Sequence, residues 1–311
     1  MSSFLSVLLI LSSVFGGMRR QAPTYSFTVD VDKVLLDVYV GRRGQPVTGL
    51  RVDDFEVLDN GVRQEVELLD ARVTRLNTLL LLDISRSVQG EKYQHLSAAA
   101  KAFLEGLAER DKAALVTFHH YVQMRGGWSQ DRGLLSLAPE DIVGKGGTSL
   151  HDALYAGLML MGQSFDRPTV LLFTDGQDVH SRLTESEVLM TVKESSAVVY
   201  VVGIAPAVES KPNSLSTRHQ TFQSYRRQSK FLRGVAEMSG GKFLDARSSA
   251  DLRKTFLRIL SEMKDRYLLS FSPQGVSRDG WHELKVELKD MRADILARRG
   301  YYASSQNRPS L

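Results

Sequence analysis

The sequence predicts an α/β fold in which a mostly parallel sheet, doubly wound with helices, is inserted into a small β-sandwich. Three observations support this class. Four consecutive leucines at 79–82 form a short apolar run that is typical of a strand buried on both faces. Strand and helix patterns alternate from residue 75 to residue 265, which indicates βαβ units. Short strand patterns stand on both sides of this block, and neither set has enough strands to be stable alone.

Composition limits the classes of protein that this chain can represent. The 311 residues are 42% hydrophobic and 24% charged, which suffices for one large core or two smaller ones. The formal net charge of +4 is too small a bias to indicate nucleic-acid binding. Because the chain has no cysteine, disulfides, thiolate catalysis and thiolate metal sites are excluded.

The N-terminal segment, residues 1–22, is predicted to be a signal peptide. The mostly apolar run at 4–15 has the length of a signal-peptide core and is too short to span a membrane. The pattern departs from the usual one, because Arg19 and Arg20 follow the run and no basic residue precedes it. We expect export to the periplasm or the extracellular space. Translation from Met18 would remove the segment and would instead predict a cytoplasmic protein.

Two β segments flank the central block. Apolar residues alternate with polar ones in the N-terminal segment, 24–73, and Asn-Gly at 60–61 between two such runs predicts a hairpin turn. The C-terminal segment, 266–303, contains short strands separated by turn residues. We expect the two segments to pack together as one sandwich that the block at 75–265 interrupts in sequence.

The central block is predicted to contain five strands and five helices. Strands are expected at 79–83, 112–122, 169–173, 197–204 and 241–244. Helices are expected at 95–110, 149–161, 184–194, 231–238 and 249–264. Thr148 is placed to cap the second of these helices. The two histidines at 119–120 fall within the predicted second strand and are expected to point to opposite faces.

A polar stretch at 207–228 is rich in Ser, Gln and Arg and is predicted to be a long surface loop. A basic cluster overlaps its end, and we expect it to be a solvated face, with contact to an acidic partner as the alternative. The cluster consists of Arg226, Arg227, Lys230 and Arg233.

Oxygen-bearing side chains follow the first buried strand of the block. Asp83, Ser85 and Ser87 alternate, so an extended backbone points them the same way, at the strand end where open α/β sheets bind ligands. Thr148, after a glycine-rich loop, and Asp175, after a buried strand, are expected at the same edge. Such hard oxygen donors favour Mg²⁺ or Mn²⁺. Because only two of the five donors are carboxylates, we expect the ion to accept an acidic ligand from a partner.

These motifs resemble, in kind and order, the metal-ion-dependent adhesion site of von Willebrand factor type A domains. They are D-x-S-x-S at 83–87, G-G-T-S at 146–149 and T-D-G at 174–176. The resemblance covers 75–265 and implies a Rossmann-like fold and binding of protein partners through an acidic residue. It further implies that Ser85 and Ser87 bind the ion directly, and that Asp83, Thr148 and Asp175 bind it directly or through water. The flanking segments resemble extracytoplasmic bacterial proteins related to this domain.

We therefore expect a non-enzymatic, metal-dependent adhesion module that holds an acidic group of a protein or surface polymer. Two alternatives stay open: a cytosolic partner of an AAA+ ATPase, and a phosphoesterase or hydrolase that uses the same ion. Ser149, His151 and Asp152 imitate a hydrolase triad, but neighbouring helix positions face different directions and no G-x-S-x-G turn is present. Four residues are candidates for a partner-binding rim, with a solvated loop as the other interpretation: Arg86, Gly147, Gln177 and Asp178.

Overall fold

The structure of the protein is a computed structural model. It describes residues 33–71, 73–134, 147–162, 167–175, 178–204, 215–246 and 248–303. The predicted signal peptide at 1–22 and the start of the N-terminal β segment at 24–32 lie outside these ranges. Within them, no helix is long and apolar enough to cross a membrane.

The described chain begins and ends with β-strands, and helices alternate with strands between them. The strands are β1 (Val34–Arg42), β2 (Gln45–Pro46), β3 (Phe55–Asp59), β4 (Val62–Gln64), β5 (Glu67–Leu69), β6 (Leu76–Asp83), β7 (Lys112–Phe118), β8 (Val122–Ser129), β9 (Arg167–Thr174), β10 (Val198–Ile204), β11 (Phe243–Ala246), β12 (Tyr267–Phe271), β13 (Gly280–Leu288), β14 (Asp294–Leu296) and β15 (Gly300–Ala303). The α-helices are α1 (Glu91–Gly106), α2 (Leu150–Met161), α3 (Glu185–Glu194), α4 (Leu215–Ser239) and α5 (Leu252–Lys264).

The central sheet has the strand order β11-β10-β9-β6-β7-β8, and its strands are parallel except for β8, which runs antiparallel to β7. One face packs against α1 and α5, and the other against α2, α3 and α4. The four leucines of β6 explain this double covering. Leu80 and Leu82 belong to the first core, Leu79 and Leu81 belong to the second, and all four are fully buried. The predicted fold class is confirmed.

Two smaller sheets enclose a third apolar core. One has the order β14-β1-β12-β5, with β2 paired to β1, and the other has the order β15-β13-β3-β4. Strands from before and after the α/β block pair with each other, as β1 does with β12 and β3 with β13. The turn between β3 and β4 places Asn60 and Gly61 at φ values of 47° and 81°, the left-handed backbone that a two-residue hairpin turn requires.

The structure corrects the sequence prediction at 207–228. Residues 207–214 lie outside the described ranges, but α4 begins at Leu215 and runs for 25 residues, so the loop prediction is wrong from there on. Gln and Arg have good helix propensity, and a polar composition does not distinguish an exposed helical turn from a loop. Residues near the end of α4, such as Phe231 and Val235, anchor the helix in the second core.

The predicted strand at 112–122 is also divided in the structure. It ends at Phe118, and β8 begins at Val122 and forms an additional edge strand. His119 and His120 therefore lie in the connecting turn, and their rings stack with centroids 4.3 Å apart. The expectation that they point to opposite faces is wrong, because it assumed an extended backbone at both positions.

Asp37, on β1, lies between two buried arginines. Its carboxylate accepts hydrogen bonds from Nε of Arg167 at 2.7 Å and from Nε of Arg266 at 2.6 Å. Arg167 opens β9, and Arg266 directly precedes β12 and also donates to the carbonyls of Gly240 and Leu296. Burial raises the pKa of Asp37, but the charges of the two arginines outweigh burial and hold this pKa below its ordinary value. One carboxylate thus joins β1 to the α/β block.

We predict that Asp37→Asn lowers the free energy of unfolding by about 3–5 kcal/mol, because it leaves two buried guanidinium groups without their anion. Chemical denaturation at neutral pH measures this change. Since the pKa of Asp37 is lowered by folding, the stabilisation is present above the unfolded-state pKa and is lost as pH falls through the folded-state pKa.

The matched control is Glu67→Gln, which removes an exposed ion pair with Lys33. We expect a much smaller effect from that change, because solvent screens the charges of an exposed ion pair. Equal effects of the two substitutions would contradict the role given to Asp37.

Candidate metal centre

Asp83 ends β6 and is fully buried. Its Oδ1 accepts a hydrogen bond from the backbone N–H of Ser85 at 2.9 Å, and its Oδ2 accepts one from the hydroxyl of Thr174 at 2.8 Å. Burial, and then the nearby charge of Asp175, raise the pKa of Asp83 to about 6, against the lowering effect of the hydrogen bonds from Ser85 and Thr174. The carboxylate of Asp83 therefore links the end of β6 to the end of β9.

Ser87 connects the loop after β6 to Asp175. The hydroxyls of Ser85 and Ser87 are 3.1 Å apart, and the Ser87 hydroxyl donates to Oδ1 of Asp175 at 2.6 Å. The other carboxylate oxygen of Asp175 accepts a hydrogen bond from Nζ of Lys92 at 2.6 Å. Four of the five predicted donors therefore form one hydrogen-bonded chain that leads from Asp83 through both serines to Asp175.

Thr148 joins this group through the main chain. Its carbonyl oxygen accepts hydrogen bonds from the N–H groups of Val179 and His180, in the loop after β9. The next residue, Ser149, donates its N–H to the carbonyl of His119, in the turn after β7. The loop that carries Thr148 is thus held between two loops of the same sheet edge, and all five predicted donors lie at that edge.

Gly147 is a glycine because its neighbours leave no space for a side chain. A Cβ atom there would overlap Cγ2 of Val179 and approach Cδ2 of His180 to 2.7 Å. This close approach lets the residues after β9 pack directly against the loop that carries Thr148.

Asp178, a candidate for the rim, caps helix α2. Its Oδ1 accepts hydrogen bonds from the N–H groups of Leu150 at 2.8 Å and His151 at 3.3 Å, and from the hydroxyl of Ser181. The N-cap position of α2 belongs to Ser149, whose side chain makes no capping hydrogen bond. The prediction that Thr148 caps this helix is therefore wrong, because a carboxylate from another loop satisfies the free N–H groups.

Two further candidates for the rim are Arg86 and Gln177. Arg86 is exposed, in a single 3₁₀ turn directly after Ser85. Gln177 lies outside the described residues.

Lys92 and Thr174, which contact the two aspartates of the site, were absent from the predicted set. Thr174 belongs to the T-D-G motif and could have been found there, whereas nothing in the sequence links Lys92 to Asp175.

The donor chemistry of this edge fits a hard divalent cation. The five candidate donors offer carboxylate and hydroxyl oxygens only, which are ligands that Mg²⁺ and Mn²⁺ accept. No set of three or more His, Asp or Glu side chains in the described part of the chain is arranged to hold a metal ion. A metal site at this edge would accordingly need the hydroxyls of the serines and of Thr148.

One family of known proteins matches part of this chain. Residues 78–177 match the family model of the von Willebrand factor type A domain. The chain contains a von Willebrand factor type A domain. The matched range runs from β6 to just beyond Asp175, and so it includes all five predicted donors.

Three solved structures are similar to this chain over part of their length. A von Willebrand factor type A protein from Catenulispora acidiphila has a TM-score of 0.50 and 14% identity, over 82% of this chain and 74% of that chain. An aerotolerance-related membrane protein from Bacteroides fragilis has 17% identity and a TM-score of 0.43, over 60% and 99% of the two chains. Proximal thread matrix protein 1 from the mussel byssus, solved with a zinc-occupied MIDAS motif, has 16% identity and a TM-score of 0.44, over 65% and 49%. At 14% identity, the likeness to the Catenulispora acidiphila protein concerns the fold alone.

We predict that Asp178→Ala destabilises the protein by about 1–2 kcal/mol, the scale of a lost helix cap, because the first N–H groups of α2 lose their acceptor. Asp178→Asn keeps an oxygen at that place and should cost less. Urea denaturation measures both, with Asp290→Ala at an exposed turn as the control. A loss for Asp178→Ala no larger than the control's would show that the cap contributes nothing.

Proposed function

We propose that this protein is a non-enzymatic binding module whose von Willebrand factor type A domain holds a divalent cation and uses it to coordinate an acidic group of a partner. The observation that carries this proposal is the hydrogen-bonded chain from Asp83 through Ser85 and Ser87 to Asp175, with Thr148 tied to the same edge. The partner would be a protein or a surface polymer that presents a carboxylate.

The residues of the chain supply different parts of the proposed site. The hydroxyl oxygens of Ser85, Ser87 and Thr148 would bind the ion without neutralising it, and the two aspartates would supply the balancing charge. When bound, a Mg²⁺ or Mn²⁺ ion supplies an electrophilic centre that accepts one further oxygen ligand. Buried surroundings strengthen these charge interactions, since Asp83 and Thr148 are almost wholly inaccessible to water.

The contacts of the candidate catalytic side chains support a role without catalysis. The hydroxyl of Ser85 lies against another hydroxyl, that of Ser87, whereas an activated serine nucleophile is paired with a base. His151 directs Nδ1 at the carbonyl of Leu183, and Asp152 accepts hydrogen bonds from the backbone. These contacts give His151 and Asp152 a structural role in holding the loop before α3.

We further propose that the protein acts outside the cytoplasm, after removal of residues 1–22. The support is the apolar run at 4–15. The rival proposal, a cytosolic partner of an AAA+ ATPase, requires a chain that starts at Met18. Mass determination of the N-terminus in the native cell distinguishes a chain cut near residue 22 from one that begins at Met18.

We predict that Mg²⁺ or Mn²⁺ raises the thermal stability of the chain relative to EDTA, because an ion that binds only the folded state stabilises it by mass action. At a concentration 100 times the Kd, the gain is about 2.7 kcal/mol. Asp83→Ala and Asp175→Ala should abolish the gain, whereas Asp290→Ala should leave it intact.

The same proteins, loaded with Mg²⁺ or Mn²⁺, can be assayed against generic phosphoesters and carboxylic esters. We expect no turnover. Turnover that disappears in Asp83→Ala would favour the hydrolase alternative, and the absence of any metal-dependent stabilisation at millimolar metal would remove the basis of the proposed function.

A further inference from the structure

Lys92 places a positive charge beside the proposed cation site. It is the second residue of α1, and its Nζ donates to Oδ2 of Asp175 at 2.6 Å and to the carbonyl oxygen of Ser87 at 3.0 Å. The Asp175 side chain is only 1% exposed, whereas that of Lys92 is 29% exposed, so the ammonium covers a buried carboxylate from the solvent side.

The position of Lys92 is unfavourable for a helix. The first turn of a helix carries the positive end of its dipole and favours acidic side chains. The position of Lys92 is stabilised instead by its two oxygen acceptors. One acceptor, on Asp175, lies in the loop after β9, and the other, on Ser87, lies in the loop after β6. The contact therefore belongs to the site at the edge of the sheet and is not a device that stabilises α1.

The ammonium also changes the charge that an ion meets. Both oxygens of Asp175 are engaged, one by the hydroxyl of Ser87 and the other by Lys92. With Asp83 and Asp175 ionised, a divalent cation alone would be balanced by two negative charges. Lys92 adds one positive charge, so the ion-loaded site has a net charge of about one positive unit. A single carboxylate from a partner would neutralise this charge.

We propose that Lys92 is a built-in counter-charge that weakens binding of the cation alone and strengthens binding of an anionic group to the cation-loaded site. This inference rests on the proposed function, since it assumes that the site takes a divalent cation. Its consequence is coupling: the ion is held most tightly when the acidic partner is present, because each reduces the electrostatic cost of the other.

The test compares Lys92→Met with the wild-type chain in two titrations. In calorimetric titration with Mn²⁺ or Mg²⁺ alone, Lys92→Met should bind the ion at least about tenfold more tightly, the scale on which a neighbouring unit charge shifts an ionic equilibrium. In Mg²⁺-dependent binding of poly-L-glutamate, the same variant should bind about tenfold more weakly.

Two variants separate charge from packing. Lys92→Arg keeps the positive charge and should resemble the wild type in both titrations. Lys101→Met removes an exposed lysine on the same helix, paired only with Glu105 among the described residues, and should change neither. A purely structural Lys92 would lower stability without tightening metal binding.

The outcomes are distinguishable. Unchanged or weaker metal affinity in Lys92→Met, or equal tightening in Lys92→Arg, overturns the role of Lys92 while leaving the metal site in place. Unchanged binding of poly-L-glutamate overturns the second half of the proposal. If neither the wild type nor Lys92→Met binds the ion, the proposed function fails and this inference fails with it.

Discussion

The contact of Asp37 with Arg167 and Arg266 is the interaction on which the arrangement of the chain depends. Its three side chains come from β1, from the start of β9 and from the residue before β12, which are 130 and 229 positions apart from Asp37 in sequence. Both arginines are almost fully buried. Because an unpaired buried charge is costly, the sandwich and the α/β block must adopt positions that bring these groups together. Breaking this contact would leave three buried charged groups without their partners.

Polar contacts between segments also organise the opposite edge of the central sheet, where its parallel strands end. There the loops after β6, β7 and β9 hold one another through carboxylate, hydroxyl and backbone contacts. Asp178 from one loop caps α2, and the backbone of Thr148 receives two N–H groups from the same loop. Contacts among the chain's own residues therefore position the candidate donors, and the cost of ordering them is part of folding.

The sequence predicts best those parts of the fold and of the candidate site that depend on a short local pattern of residues. The leucines of β6 and the Asn60-Gly61 turn are short patterns with one structural solution, and both were predicted correctly. The donor residues were predicted as candidates because they follow strands whose ends must share an edge. The start of α4 and the edge strand β8 were missed because a polar composition does not distinguish a helix from a loop and because residues 119–121 continue the pattern of a strand. The capping of α2 by Asp178 was missed because the carboxylate lies 28 positions from the N–H group of Leu150. Lys92 is the clearest case: it lies 83 positions from Asp175 and reaches it only through the fold.

The two edges of the central sheet have one further consequence. Arg167, at the amino end of β9, faces the sandwich, and Asp175, just past its carboxyl end, lies at the candidate metal site. The strand between them spans about 25 Å, given its rise per residue. Val34 and Ala303, the outer limits of the flanking strands, both belong to the sandwich. The contact of Asp37 with Arg167 thus joins the sandwich to the amino end of β9, at the opposite end of the strand from the candidate donors. A force applied between the two ends of β9 would load its hydrogen bonds to β6 and β10 in shear, the direction in which many bonds must break at once.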